Sequence, residues 1–81
     1  MIATAIDKKL IKTLVESWGP SGYEQPVRDT IRELVTGLAD DLRIDAGGNL
    51  IARMGSGGTK IMVAAHMDEI GLMIHHVDRD G

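Results

Sequence analysis

Between residues 5 and 18, apolar side chains fall at Ile6, Leu10, Ile11, Leu14, Val15 and Trp18, with Lys8, Lys9, Lys12 and Glu16 between them. That spacing puts the apolar groups on one stripe of a helix and the charges on the other. "GPSG" at 19–22 ends it. A second helix is predicted from about Glu24 to Leu38, with Val27, Ile31, Leu34, Val35 and Leu38 on one face. Ser21 and Glu24 have capping-box spacing, and Pro26 fits only the first turn of a helix.

After "ADD" at 39–41 the period changes. "LRID" (42–45) and "NLIARM" (49–54) read as strands joined by the turn "AGGN", and "GSGG" (55–58) is a further turn. "TKIMVAAHM" (59–67) is nearly continuous in apolar residues, the pattern of a strand buried on both faces. "GLMIHHVD" (71–78) reads as a fourth strand. The predicted order is therefore α-α-β-β-β-β, an α/β arrangement without internal repeats. The fourth strand leads into "DRDG" and asks for a returning strand. Either another chain supplies that partner or the sequence is part of a longer one.

Composition narrows the function classes. The chain has 81 residues with 43% hydrophobic and 26% charged content, which is ordinary for a globular protein. A domain this short buries only roughly 60% of its unfolded surface. Aromatic content is 2% and cysteine is absent, so the usual supports of an independent mini-protein are missing. The net charge of −3 without a basic stripe argues against nucleic-acid binding. The absence of cysteine removes any disulfide or thiolate site and fits a cytoplasmic location. "MIATAIDKKL" lacks the pattern of a signal peptide, and no apolar run is long enough to span a membrane.

Most polar residues have a structural explanation. "GSGGTK" lacks the glycine spacing of a phosphate loop and precedes a strand rather than a helix, so it reads as a turn. His75 and His76 are adjacent in a strand and point to opposite faces, with at most one facing solvent. Trp18 and the methionines at 54, 62, 67 and 73 read as core filler. Asp40, Asp41, Asp45, Asp78 and Asp80 sit at turns and strand ends, where aspartate bonds local backbone.

His66 and Asp68 differ. They follow "KIMVAA" at the C-terminal end of an apolar strand, the edge where ligands collect in open α/β sheets. A spacing of two puts both side chains on one side of a strand. A neutral imidazole is a zinc ligand, and a carboxylate on its other ring nitrogen fixes the tautomer. One histidine does not make a site, which needs three or four protein ligands.

"SGYEQPVRDTI" (21–31), "DAGGNLIAR" (45–53) and "IMVAAHMDEIGLMI" (61–74), in this order and spacing, resemble the N-terminal segment of the M42 family of metallo-aminopeptidases, the tetrahedral or glutamyl/leucyl aminopeptidase-like enzymes. The resemblance covers essentially the whole chain, and "AHMDEIG" is its specific element. It implies the start of an α/β/α zinc-peptidase domain over residues 1–69, with residues 70–81 as a strand entering an inserted β-domain. It implies that His66 binds one of two divalent metal ions, zinc or cobalt, and that Asp68 orients it. Glu69 belongs to the pattern but is assigned no catalytic role.

The activity implied is metal-assisted release of N-terminal residues from peptides, by a cytoplasmic homo-oligomer, a dodecamer in the family. The remaining ligands and the general base lie beyond Gly81 in the family pattern, so the 81-residue chain alone is expected to be inactive. Three alternatives stand beside this reading. One is an autonomous folding or assembly fragment whose exposed strands pair with another copy. A second is a related metallopeptidase or deacylase that uses an H-x-D. The third, a glycosidase, is disfavoured because Asp68 and Glu69 diverge in a strand.

Overall fold

The structure, a computed structural model, describes residues 7–81. Ile6 and the predicted start of the first helix at residue 5 lie outside that range. Helix α1 spans Lys8–Glu16 and helix α2 spans Gln25–Val35; they are followed by strands β1, Asp41–Ile44, and β2, Leu50–Arg53.

Helix α1 begins where Asp7 supplies a cap. The Asp7 carboxylate accepts from the backbone N–H groups of Lys9 at 2.9 Å and Leu10 at 3.2 Å, two donors that the first turn leaves unsatisfied. Ser17 ends the helix in an extended conformation. Its hydroxyl donates to the Thr13 carbonyl at 2.8 Å and lies 3.3 Å from the Thr30 hydroxyl, which links α1 to α2. Helix α2 starts at Gln25 with Pro26 in its first turn. The predicted capping box does not form. Glu24 occupies the cap position, and its carboxylate accepts from Gly22 N–H instead. The helix ends at Val35, three residues short of Leu38.

β1 and β2 pair antiparallel, with Leu42 opposite Ala52 and Arg43 opposite Ile51. The loop between them is organised by Asp45. Its carboxylate accepts from Gly47 N–H at 3.0 Å, Asn49 N–H at 2.9 Å and Asn49 Nδ2 at 3.0 Å. Gly48 sits at φ +86°, where a side chain would be strained. Arg28 of α2 donates to the Gly48 carbonyl at 3.1 Å and so ties the helix to the hairpin loop. "DAGGN" is thus a self-capping turn.

The hydrogen bonds from Asn49, first its side chain and then its backbone, hold the Asp45 carboxyl below the ordinary aspartate range, with Gly47 and Arg43 adding to the effect. A carboxyl with a lowered folded-state pKa stabilises the fold above its unfolded-state value, and loses that contribution as pH falls through the folded-state one. In a carbon-detected NMR titration, the Asp45 midpoint is expected below that of an aspartate in an unstructured peptide. Asn49→Ala should raise it. An unshifted midpoint would contradict the turn's hydrogen bonding.

The two remaining predicted strands are corrected by the structure. Among the described residues, neither 59–67 nor 71–78 forms a strand, and the one pairing in this region is an isolated parallel bridge between Pro20 and Glu69. A strand is defined by a neighbour, and no described backbone lies alongside these segments to complete a ladder. The "KIMVAA" stretch, expected to be buried, is open: Ile61 is 85% exposed and Val63 91%. Among the described residues, Val27 is the one buried apolar side chain, at 4% exposure. The Cα radius of gyration is 16.7 Å, against about 12 Å for a compact chain of this length.

Candidate metal centre

The His66 imidazole sits in the open segment that follows "KIMVAA". Its Nδ1 lies 2.9 Å from Asp68 Oδ1 and 3.1 Å from the Asp68 carbonyl oxygen. Both neighbours are acceptors, so this geometry favours the tautomer with the proton on Nδ1. Nε2 then carries the free lone pair, and no described residue hydrogen-bonds it. Local spacing suffices for the contact: a single residue, Met67, separates the partners. The imidazole is 85% exposed, so it is open to a ligand from outside this chain.

The donor set fits one ligand of a metal site and no more. Among the described residues, no group of three His, Asp or Glu side chains converges closely enough to hold an ion. Zinc sites use three or four protein ligands, so His66 needs partners from elsewhere. An imidazole with its Nδ1–H on a carboxylate is the donor form that such a site uses.

A second histidine–aspartate pair occurs downstream. His76 Nε2 lies 3.2 Å from Asp78 Oδ1, with both side chains exposed. It has the same H-x-D spacing as His66 and Asp68, a signal overlooked when His75 and His76 are read only as neighbours. Both His75 and His76 face solvent, not one of them, because no strand of the described residues pairs with the segment.

Two concavities stand out among the described residues. One, of about 490 Å³, is lined by Trp18, Tyr23, Arg28 and Asp29. The other, of about 550 Å³, is an open groove between Trp18, Pro20 and Tyr23 on one side and Ile70, Leu72 and Ile74 on the other. The Trp18 and Tyr23 rings lie 6.2 Å apart in a tilted pair. Neither of these two concavities is lined by His66 or Asp68.

Sequence comparisons give this geometry a context. Residues 48–81 match the family model described as M42 glutamyl aminopeptidase. A lysyl aminopeptidase of Pyrococcus furiosus is 47% identical over 77 residues, 94% of this chain and 22% of that protein. A putative aminopeptidase of Acetivibrio thermocellus is 44% identical over 72 residues, 89% of this chain and 22% of that protein. A glutamyl aminopeptidase of Lactococcus lactis subsp. cremoris is 36% identical over 74 residues, 88% of this chain and 21% of that protein. The chain thus spans about a fifth of the length of these relatives. Among the described residues, no helix is long and apolar enough to cross a membrane.

Proposed function

The chain belongs to the M42 family of aminopeptidases, and on that premise we propose that it is the N-terminal part of an enzyme that releases N-terminal residues from peptides in a metal-dependent reaction. The observation that carries the metal-site reading is the 2.9 Å contact between His66 Nδ1 and Asp68 Oδ1, which leaves Nε2 free.

His66 holds one of two divalent ions, zinc or cobalt, through Nε2. Asp68 holds the ring by accepting its Nδ1 proton, and so sets both the tautomer and the direction of the lone pair. Bound divalent ions would supply a water nucleophile at neutral pH and polarise the scissile carbonyl. The other ligands and the general base come from further chain, so the 81-residue segment alone is inactive. The peptidase domain starts in residues 1–69, and residues 70–81 lead into an inserted β-domain. The complete enzyme acts in the cytoplasm as a homo-oligomer, a dodecamer in this reading.

The exposed Ile61, Met62 and Val63 support the same proposal. Three consecutive apolar residues left open on an extended segment suit the centre of a sheet completed by further strands. The assay is hydrolysis of aminoacyl-p-nitroanilides by the complete protein. Turnover should disappear on stripping with 1,10-phenanthroline and return on adding zinc or cobalt. Full turnover from a preparation shown to be metal-free by elemental analysis would overturn the metal-dependent reading.

A further inference from the structure

Three residues past His66, the chain returns to the helical part of the molecule. The Glu69 N–H donates to the Gly19 carbonyl at 3.0 Å, and the Gly19 N–H donates back to Glu69 Oε1 at 3.3 Å. One glutamate thereby satisfies both backbone polar groups of a buried residue. On its far side Gly19 rests against Val27, so closely that a β-carbon on residue 19 would lie 2.5 Å from Val27 Cγ1. Gly71 closes on the same loop: a β-carbon there would lie 2.5 Å from Pro20 Cβ. Among the described residues, the two Glu69–Gly19 hydrogen bonds are the ones that join residues 59–81 to the helices. The segment that carries His66 is therefore fixed to the rest of the molecule at Glu69.

We propose that Glu69 is a positioning residue for the metal site: it clasps Gly19 and so sets where the His66–Asp68 pair stands relative to α1 and α2. Its carboxylate acts by reach and by accepting one hydrogen bond, and its charge is incidental. The inference rests on the reading of His66 as a metal ligand and assigns Glu69 a role that the H-x-D spacing alone does not suggest. Outer residues that hold a ligand in place typically contribute about 10–100-fold in metal affinity or activity. Glu69 acts one step further out, through backbone, which places its effect near the lower end.

The experiment uses the complete protein and compares Glu69→Gln, Glu69→Asp and Glu69→Ala. Zinc affinity is read by competition with a chromophoric chelator, kcat and KM with an aminoacyl-p-nitroanilide, and folding by the melting midpoint. Glutamine keeps both the reach and an oxygen acceptor; aspartate keeps the charge and loses the reach. The expected result is near-parental zinc affinity and kcat for Glu69→Gln, with both lowered by about 10-fold in Glu69→Asp and Glu69→Ala. Two results would overturn the clasp. One is a Glu69→Gln as impaired as Glu69→Ala, which makes charge the essential property. The other is a lowered melting midpoint with unchanged zinc affinity in all three, which makes the residue structural only. Glu69 is solvent-exposed, so these variants are expected to fold. His66→Ala in the same titration separates the two readings. If it weakens zinc binding while Glu69→Ala does not, the positioning role alone has failed. If His66→Ala leaves zinc affinity unchanged, the ligand reading has failed, and the clasp with it.

Discussion

His66→Ala in the complete protein is expected to weaken zinc binding by more than about 100-fold and to reduce aminopeptidase turnover at least as much. The bound is set by comparison with residues that only support a ligand, whose loss costs roughly 10–100-fold. Asp68 is such a residue: it touches Nδ1 and not the ion. Asp68→Ala should fall inside that range, and Asp68→Asn should recover part of the loss, because an amide oxygen can still accept from Nδ1–H. The order His66→Ala, then Asp68→Ala, then Asp68→Asn, measured as zinc dissociation constants, is the test. Equal losses for Asp68→Ala and His66→Ala would mean that Asp68 itself ligates, and the division of roles between the two would be wrong. The exposure of both side chains makes the comparison clean, since neither replacement opens a cavity in the described part of the molecule.

The elements that the sequence predicts well are those with local determinants. Helix α1 is visible in its apolar stripe and helix α2 in Pro26 and the apolar face that follows. The hairpin is visible in "DAGGN", where Asp45 and Asn49 bond each other within five residues. The contact between His66 and Asp68 is legible for the same reason, since two residues so close in sequence meet without any tertiary help.

What is not legible depends on partners. "KIMVAA" has the composition of a buried strand, yet composition says nothing of which backbone would flank it, and the described residues provide none. The capping box fails because the helix starts at Gln25, which puts Glu24 itself at the cap position, where its carboxylate accepts from Gly22 N–H. The Glu69–Gly19 clasp spans fifty residues of sequence, and no periodicity announces it. Its one sequence signal is a pair of glycines, Gly19 and Gly71, each at a point of close approach that only the fold makes visible.

That close approach carries the largest expected stability effect. Gly19→Ala adds a carbon that would sit 2.5 Å from Val27 Cγ1 and 3.1 Å from Val27 Cβ, against the one buried apolar side chain among the described residues. The first distance is too short to be absorbed by a rotamer adjustment at a β-branched residue, which has few rotamers to choose from. The loop must move instead, and overpacking of this kind costs about 1–3 kcal/mol. Val27→Ala removes the Cγ1 that would collide while leaving Cβ in tight but tolerable contact. The double variant Gly19→Ala/Val27→Ala should therefore be more stable than the sum of the two single losses, by at least about 0.5 kcal/mol, the scale at which contacting residues depart from additivity. Urea denaturation of the complete protein and its three variants gives the cycle. Additive losses would show that the added methyl does not meet Val27. Because Gly19 also holds Glu69, the displaced loop in Gly19→Ala should lower zinc affinity as well, and Val27→Ala should restore it in step with stability. Stability restored without zinc affinity would separate the packing of the loop from its hold on His66.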